Sequence, residues 1–343
     1  MNEIELLEGL LQRYSPTFQE AEAVNFLVLQ MKAAGFEARV DEVGNAVGVM
    51  GDGPREVMLL GHIDTVPGCI EVRREDDHLY GRGAVDAKGP LACFAAAAAL
   101  AGAREGCHFV VIGAVGEEGD SRGAQFVRDH YEPDMLIIGE PSRWDRVTLG
   151  YKGSAWFEYE VRRGLTHTSA NVESACQAAV RFWNRVLDRS TQWNVGRLKM
   201  FDQLILSLRE MQSRSDGFVE VAQLKFNLRV PLGITLSEVE TLVREQVSEA
   251  ELRMYEGCPA YRAEKNTALV RSFLAAIRRH GGSPTFTVKS GTSDMNLVAP
   301  VWQCPTVAYG PGDSDLDHTP HEHILISEYQ RAIQILADVL RTG

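Results

Sequence analysis

Two short segments decide how this chain folds and where its chemistry lies: Leu59-Leu60-Gly61-His62-Ile63-Asp64-Thr65-Val66-Pro67 and Gly81-Arg82-Gly83-Ala84-Val85-Asp86-Ala87-Lys88-Gly89. The first is apolar at its start and is broken by Pro67-Gly68, which is typical of a buried strand that ends in a turn. His62 and Asp64 are two residues apart, so their side chains point to the same side of an extended chain. A histidine beside a carboxylate suits metal ligation, because the carboxylate orients the imidazole and raises its basicity. On its own, a His-x-Asp motif more often indicates a structural histidine, in the core or in a loop, than a metal ligand. The rest of the chain has to decide between these two interpretations.

The composition is that of an ordinary globular protein. The chain has 343 residues, of which 45% are apolar and 24% charged, and its formal net charge is −12. This negative charge argues against nucleic acid or an anionic membrane as a partner. Six scattered cysteines without a Cys-x-x-Cys pair favour free thiols over disulfides or a thiolate zinc site. The acidic N-terminus is unlike a signal peptide, and the longest apolar run, Leu91 to Ala103, is too short to span a bilayer. We therefore expect a cytoplasmic protein.

Apolar strands in the first half of the chain are followed by acidic residues. The run Phe109 to Val115 leads to Glu117-Glu118, and the run Met135 to Ile138 leads to Glu140. Helical segments separate these strands, and this alternation predicts an α/β domain with a largely parallel sheet. In such sheets ligands bind beyond the carboxyl ends of the strands, which is where these acidic residues lie.

The pattern changes near residue 147. From there to residue 257 the predicted order is strand, helix, strand, strand, helix, strand, and Trp156 to Val161 alternates as a half-exposed antiparallel strand does. This order is that of a split βαβ, or ferredoxin-like, domain. We therefore predict a catalytic domain made of residues 1–146 and 258–343, with residues 147–257 inserted as a second domain.

Five side chains are candidate metal ligands: His62, Asp86, Glu118, Glu140 and His318. Two imidazoles and three carboxylates, without a thiolate, suit zinc, cobalt or manganese. One carboxylate that bridges two ions about 3.5–4 Å apart makes a co-catalytic pair. We assign Asp86 as the bridge, His62 and Glu140 to one ion, and Glu118 and His318 to the other.

Glu117 lies beside a predicted ligand but is not needed as one. A water bound to a divalent ion has a pKa of about 7, and a nearby carboxylate can take its proton and pass it to a leaving amine. We assign Glu117 as this general base and acid. A Glu-Glu pair on a loop is also typical of a solvated surface, but this pair follows an apolar strand and is flanked by glycines.

Four motifs carry a resemblance to a known family: His62-x-Asp64, Gly81-Arg82-Gly83 with Asp86-x-Lys88-Gly89, Glu117-Glu118, and His318-x-Pro320-x-Glu322. Together they resemble the di-zinc amidohydrolases typified by DapE, ArgE and the aminoacylases. The resemblance implies a zinc-peptidase-like catalytic domain of three layers, α/β/α, with two zinc ions held as assigned above. It also implies that Asp64 orients His62, that Glu117 is the general base, and that the inserted domain is a lid through which the protein often dimerises.

The same resemblance implies functions for residues of the lid. In that family a lid histidine stabilises the oxyanion in the partner subunit's site, and His167 matches it, although a surface-loop histidine is the alternative. A late lid arginine binds the substrate carboxylate, and Arg229 matches it, with a strand-end ion pair as the alternative. Within the predicted loop Ser290 to Asn296, the segment Ser290-Gly291-Thr292-Ser293-Asp294 resembles the glycine loop that lines the substrate pocket, which implies substrate contacts for Gly291 and Thr292.

Two segments are most similar to one branch of this family: Gly83 to Leu91 and Tyr309 to Ser314. Enzymes of this branch release lysine, and in some members ornithine, from the carrier protein LysW. Before release, the α-amino group of the amino acid is blocked by the side-chain carboxyl of the C-terminal glutamate of LysW. The resemblance thus implies the last step of carrier-dependent biosynthesis of lysine or an arginine precursor. Many deacylases of the wider family carry Asn-x-Ile-Pro before the lid arginine. Here Asp216-Gly217-Phe218-Val219 takes that place, which argues against a standard pocket for a small acyl group.

The local charge fits a protein substrate. Residues 151–200 include eight basic and four acidic residues, a local net charge of +4 in a chain of −12. An acidic carrier, as LysW is expected to be, would be attracted to such a patch. A solvated helix face accounts for the same charges equally well.

Other functions share these motifs. An N-acetylornithine or N-acetyl-lysine deacetylase, a succinyl-diaminopimelate desuccinylase or a dipeptidase would use the same site on a different amide. A non-enzymatic binding protein on this scaffold would have no need of Glu117. The motifs leave open the native metal, the choice between lysine and ornithine, and whether His167 acts in its own subunit or across a dimer.

Overall fold

The structure is a computed structural model that describes residues 2–342. By their contacts, these residues divide into two compact units. The first unit takes the described residues in Met1–Gly150, Ala263–Val288 and Ser293–Gly343, and the second takes Tyr151–Arg262 and Lys289–Thr292. The second unit is therefore inserted in the chain of the first. Its predicted function as a lid and dimerisation domain stays a prediction.

Helices and strands are numbered along the whole chain. The helices are α1 (Glu3–Leu11), α2 (Ala21–Ala33), α3 (Lys88–Ala101), α4 (Arg122–His130), α5 (Ala175–Trp193), α6 (Leu236–Arg244), α7 (Ala268–Arg279), α8 (Met295–Trp302) and α9 (Ile326–Thr342). The strands are β1 (Glu37–Val40), β2 (Ala46–Met50), β3 (Arg55–His62), β4 (Arg73–Glu75), β5 (His78–Tyr80), β6 (Cys107–Ala114), β7 (Met135–Gly139), β8 (Arg146–Tyr151), β9 (Gly153–Gly164), β10 (Ile205–Ser215), β11 (Val219–Val230), β12 (Glu251–Cys258), β13 (Tyr261–Arg262), β14 (Thr285–Lys289), β15 (Thr306–Ala308) and β16 (His323–Leu325). Short 3-10 turns lie at Met200–Asp202 and Ser314–Leu316. Within the described part of the chain, no helix combines the length and the apolar character needed to cross a lipid bilayer.

The main sheet of the first unit is parallel at its centre. Its strands lie in the order β1-β2-β6-β3-β7-β15-β8, with β14 beside β8. Strand β3 pairs in parallel with both β6 and β7, and β15 pairs in parallel with β7. The central strands are continuous apolar runs because both faces of a parallel sheet are covered, and all five residues of β7 are buried. Three neighbouring strands therefore end at the same edge of the sheet.

Glycines allow helix α3 to pack close to these strands. A Cβ atom on Gly61 of β3 would lie 3.4 Å from a carbon of Leu91 in α3, and one on Gly113 of β6 would lie 3.1 Å from another. A larger residue at Gly113 would force the helix away from the sheet, since protein interiors are close-packed. Because α3 begins two residues after Asp86, this packing also brings Asp86 to the ends of β3 and β6.

A small second sheet of the first unit joins the C-terminal segment to the loop that carries Asp86. It has the order β16-β5-β4, and His323 of β16 pairs with Tyr80 of β5. Strand β5 ends directly before Gly81, and β16 begins directly after Glu322. Glu322, the last residue before β16, and Gly81, the first residue of the loop that carries Asp86, therefore lie side by side.

The second unit has its own sheet and core. Its elements follow one another as β9-α5-β10-β11-α6-β12, and its antiparallel strands lie in the order β10-β11-β9-β12. This is the chain order of a split βαβ fold. Its core contains Phe157 and Phe226, whose rings stack with centroids 5.3 Å apart, and Tyr159 and Phe182, stacked at 3.9 Å. Side-chain capping at Ser174 begins helix α5.

Candidate metal centre

Residues of the predicted site follow the ends of three neighbouring strands. Strand β3 ends with His62, β6 is followed by the loop of Glu118, and β7 is followed by Glu140. Because β3 lies between β6 and β7 and runs parallel to both, these residues meet at one edge of the sheet. Asp86 comes from the loop before α3, and His318 from the loop after the second 3-10 turn.

His62, Asp86 and Glu140 form the first of two clusters that could hold a metal ion. Each offers one ligand atom, and these atoms lie within 4.8 Å of one another. The Nε2 atom of His62 is 3.1 Å from Oδ1 of Asp86 and 4.0 Å from Oε1 of Glu140. His62 and Glu140 are buried, so the cluster lies inside the first unit.

Asp86, Glu118 and His318 form the second cluster. The Nε2 atom of His318 is 3.0 Å from Oδ2 of Asp86 and 2.8 Å from Oε1 of Glu118. His318 is exposed and has a backbone φ of 61°, a left-handed conformation that is uncommon outside glycine. The two oxygens of Asp86 thus face different clusters. The structure brings all five predicted ligands together and makes Asp86 common to both groups.

The hydrogen bonds of His62 leave the appropriate nitrogen available for a cation. Its Nδ1 atom is 3.0 Å from the backbone carbonyl oxygen of Asp64, to which an Nδ1–H group donates. A neutral imidazole with its proton on Nδ1 has a lone pair on Nε2. That lone pair faces Oδ1 of Asp86 at 3.1 Å. Two acceptor atoms at this distance require a proton or a metal cation between them.

The carboxylates create a strongly negative field around both imidazoles. Burial lowers the pKa of His62, but Asp64 and Asp86 outweigh burial and raise this pKa well above its usual value. Hydrogen bonds to Asp86 and Glu118 raise the pKa of His318 to about 10. Burial acts to raise the pKa of Asp86, but hydrogen bonds from His318 and His62 lower it overall. A site that stabilises positive charge on two imidazoles also favours divalent cations at the same positions.

Asp64 holds two parts of the site together. It is fully buried, and its Oδ1 atom lies 3.6 Å from Nδ1 of His62 and accepts the backbone N–H of Glu117 at 3.0 Å. Its Oδ2 atom accepts the backbone N–H of Glu118 at 3.1 Å and the hydroxyl of Thr17 at 2.7 Å. One carboxylate therefore lies against the first predicted ligand and also anchors the loop that follows β6.

The side chain of Glu117 belongs to neither group of ligand atoms in the described chain. It is half-buried on the loop after β6. Burial raises the pKa of Glu117 well above its usual value, and the nearby carboxylates of Asp294, Glu140 and Glu118 add to this effect. A carboxyl group with a raised pKa holds a proton more readily than an exposed one, which suits a group that accepts and then releases a proton.

His167 lies on an exposed loop of the second unit, after β9. Its Nδ1 atom is 2.7 Å from the Ser169 hydroxyl and accepts the backbone N–H of Ser169 at 3.2 Å. Because Nδ1 accepts a hydrogen bond, the neutral ring carries its proton on Nε2. The loop therefore presents an N–H donor.

Arg229 and Lys152 form a cationic region of the second unit. Arg229 is half-buried in β11, and its guanidinium donates to the hydroxyl of Thr292 at 3.3 Å. Lys152 is fully buried, and burial, followed by the charge of Arg229, lowers its pKa to about 8. Two cations that repel each other in this way suit an anionic ligand. Gly291, next to Thr292, has open space where a Cβ atom would lie.

Three further residues belong to the site, and sequence reasoning gave them no function. Thr17 binds Asp64, and Glu322 binds the loop of Asp86. Asp294 is buried, its Oδ1 atom has no hydrogen-bond partner among the described residues, and burial raises its pKa to about 7. The motif His318-x-Pro320-x-Glu322 was the only signal for Glu322, and a motif does not say which backbone groups a carboxylate will bind.

An α/β sheet with paired clusters of imidazole and carboxylate ligands at its strand ends defines a candidate two-metal hydrolase. The model of peptidase family M20/M25/M40 matches residues 58–342, and the chain belongs to this family. A LysW-lysine hydrolase of Deinococcus radiodurans is 41% identical over 349 residues, which cover 98% of this chain and 95% of the relative. A protein of Thermococcus kodakarensis, provisionally named a LysW-lysine/LysW-ornithine hydrolase, is 42% identical over 98% of this chain and 91% of its own length.

Solved structures show the same fold. The YxeP protein of Bacillus subtilis, described as a dinuclear metal-binding peptidase of the M20 family, superposes with a TM-score of 0.73 at 14% sequence identity, over 98% of this chain and 96% of that one. These comparisons confirm the predicted family, the α/β fold class and the prediction of an enzyme that hydrolyses amide bonds.

Proposed function

We propose that this chain cleaves the amide bond that joins lysine or ornithine to the side-chain carboxyl of the C-terminal glutamate of the carrier protein LysW. The similarity to relatives named for this hydrolysis, at 41% and 42% identity over nearly the whole chain, carries the proposal. The product would be the free amino acid, at the last step of carrier-dependent biosynthesis of lysine or an arginine precursor.

The proposed cofactor is a pair of divalent ions, zinc first, with cobalt and manganese as alternatives. The ligand atoms fit such ions, since they are imidazole nitrogens and carboxylate oxygens without a thiolate. His62 and Glu140 would hold one ion, Glu118 and His318 the other, and Asp86 both. When bound, the pair would polarise the amide carbonyl and make the attacking water more acidic.

Glu117 is the proposed proton carrier. Its carboxylate takes a proton from the attacking water and gives it to the amide nitrogen as the carbon–nitrogen bond breaks, so the amine leaves as a stable product. Its raised pKa suits both halves of this transfer. Asp64 supports the transfer because its Oδ1 atom accepts the backbone N–H of Glu117 at 3.0 Å, and this hydrogen bond holds the loop of Glu117 in place.

Residues of the second unit would recognise the substrate. His167 presents an Nε2–H donor, the kind of group that stabilises the oxyanion of a tetrahedral intermediate. Arg229, with Thr292 beside it and Gly291 leaving space, would bind the carboxylate of the amino acid that is released. The half-buried cation Arg229 and the buried cation Lys152 favour an anion there.

The proposed partners are the acidic carrier protein and a second copy of this chain. The net charge of +4 over residues 151–200 would attract an acidic carrier, while the other residues of the chain are strongly acidic. We propose that the second unit forms the interface of a homodimer, that neither nucleic acid nor a membrane takes part, and that the enzyme works in the cytoplasm.

A comparison of two substrates tests the proposal. The metal-loaded enzyme is incubated with LysW carrying lysine or ornithine and, separately, with N-acetyl-lysine, and the released amino acid is measured. We expect a higher kcat/KM for a carrier conjugate, and faster turnover of N-acetyl-lysine would overturn the carrier assignment in favour of a small-molecule deacylase.

The variant Glu117→Gln serves as the control for chemistry. It should keep both ions, measured by elemental analysis, and lose a factor of about 10²–10⁴ in kcat, the usual contribution of a positioned general base. Full activity of this variant would show that another group moves the protons.

A further inference from the structure

Glu322 is a fully buried carboxylate whose partners all lie in one loop. Its Oε1 atom accepts the backbone N–H of Val85 at 2.9 Å and that of Asp86 at 3.0 Å. Its Oε2 atom accepts an N–H of the Arg82 guanidinium at 2.8 Å. Its own backbone carbonyl accepts the N–H of Gly81 at 3.3 Å. All of these donors belong to the loop that ends in Asp86.

Arg82 extends this network to a third segment. It is buried, and its Nε atom donates to the carbonyl oxygen of Gly68 at 2.9 Å. Gly68 lies in the turn that follows the strand of His62. Glu322 itself lies four residues after His318. One ion pair therefore joins the three segments that carry His62, Asp86 and His318.

The loop of Asp86 needs such an anchor. It contains Gly83, whose φ of 88° lies in the region that glycine enters freely, so this position adds little stiffness to the loop. The side chain of Asp86 must keep Oδ1 towards His62 and Oδ2 towards His318, at 3.1 Å and 3.0 Å. That orientation depends on the direction of the Asp86 backbone, and Glu322 accepts the N–H group of this residue.

We infer that Glu322, paired with Arg82, is a positioning residue that holds the shared ligand Asp86 between the two clusters. This inference rests on the metal ligands of the proposed function and goes beyond them, because Glu322 offers no ligand atom to either cluster. It acts through the backbone of Asp86. Its loss should weaken the binding of both ions together, since both depend on Asp86.

Glutamine at position 322 has the same shape but only one acceptor oxygen. If that oxygen faces Val85 and Asp86, the amide NH₂ group faces the Arg82 guanidinium, donor against donor, and a buried cation loses its partner. If the amide is reversed, the NH₂ group faces the two backbone N–H groups. The first arrangement keeps the two backbone bonds and loses the ion pair with Arg82, and the second loses both backbone bonds, so either one weakens the hold on the loop of Asp86.

The test compares Glu322→Gln with wild type and with Asp77→Asn. Asp77 is a matched control, because its carboxylate also accepts a backbone N–H, that of Ser327 at 2.9 Å. Asp77 lies in the turn between β4 and β5, outside the loop of Asp86. Cobalt affinity of the metal-free proteins is measured by competition with a chromogenic chelator, together with the visible spectrum of the cobalt-loaded proteins and thermal unfolding without metal. We expect Glu322→Gln to bind cobalt about 10–100-fold more weakly, with a changed spectrum, and Asp77→Asn to match wild type.

Unchanged cobalt affinity and spectrum in folded Glu322→Gln would overturn the inference, even if its melting temperature fell, since that result describes a purely structural residue. If this variant does not fold, Arg82→Lys keeps the positive charge but replaces the planar fork, which donates to Gly68 and Glu322 from two separate nitrogens, by a single nitrogen on a flexible stem. Weaker cobalt binding there supports the inference and unchanged binding overturns it. A wild-type protein that binds no cobalt would overturn the proposed metal centre itself, a result distinct from equal binding by wild type and variant.

Discussion

The buried carboxylate of Asp64 has two expected functions: it anchors the loop of Glu117 and it orients His62. Replacement of Asp64 by asparagine would test them separately. Its oxygens accept hydrogen bonds from the backbone N–H groups of Glu117 and Glu118 and from the Thr17 hydroxyl, at 3.0, 3.1 and 2.7 Å. Asparagine keeps one acceptor oxygen and puts an NH₂ group in place of the other. If the NH₂ group replaces Oδ1, it meets the N–H of Glu117 and lies next to Nδ1 of His62.

The size of the effect follows from these contacts. A buried N–H group that loses its partner costs about 1–3 kcal/mol, and a hydrogen bond to a charged group contributes about 1.5–3 kcal/mol. With at least one backbone N–H unpaired and the charge gone, we expect Asp64→Asn to lower the free energy of unfolding of the metal-free protein by about 2–4 kcal/mol. We also expect metal binding to weaken about 10–100-fold, as it does when the partner of a ligating histidine is lost.

Denaturant unfolding of the metal-free protein and chelator competition measure the two effects separately. Thr17→Val is the matched variant, because it removes only the hydroxyl bond to the Asp64 carboxylate and should cost about 1.5–3 kcal/mol, the contribution of one hydrogen bond to a charged group. An Asp64→Asn protein that unfolds at the same denaturant concentration as wild type and binds metal equally well would refute the reasoning. Loss of stability with unchanged metal affinity would show that Asp64 anchors the Glu117 loop but does not orient His62.

Four further outcomes are expected. His167→Ala should lower kcat about 10²–10³-fold, as loss of an oxyanion donor does, with unchanged metal content by elemental analysis; wild-type kcat would remove His167 from the mechanism. Phe226→Ala should destabilise the second unit by about 3–5 kcal/mol, since the ring is fully buried, measured by denaturant unfolding; a loss below about 1 kcal/mol would mean that the site repacks. Exposed Cys69 should react with a thiol reagent in the native protein, whereas Cys93, whose pKa burial raises, should react only after unfolding; equal rates would contradict this burial. Zinc at 100 times its dissociation constant should stabilise the metal-free protein by about 2.7 kcal/mol per site, seen as a higher melting temperature, and no shift would contradict a metal centre in the folded state.

Much of the catalytic sheet could be predicted from sequence because its strands leave a local pattern. Strands β3, β6 and β7 are buried on both faces, so they read as continuous apolar runs, and the polar residues after them mark the sheet edge. Helix α8 gave no such signal. It covers Met295–Trp302 and contains Pro300, and its first two residues lie in the predicted loop Ser290 to Asn296. Proline and the absence of a polar face hide this helix from pattern reasoning, and tertiary packing forms it nonetheless.

By itself, the sequence determined which chemical groups the candidate site contains: two imidazoles, several carboxylates, and one glutamate next to a predicted ligand but outside the ligand set. Strand periodicity and turn residues are local properties, so they can be read from neighbours in the chain. Only the tertiary structure decided how these groups are held. The bond from Asp86 to Glu322 joins residues 236 positions apart, and the bond from Thr17 to Asp64 spans 47. Contacts of this kind depend on how the loops pack, because a carboxylate binds whichever N–H groups the fold places beside it.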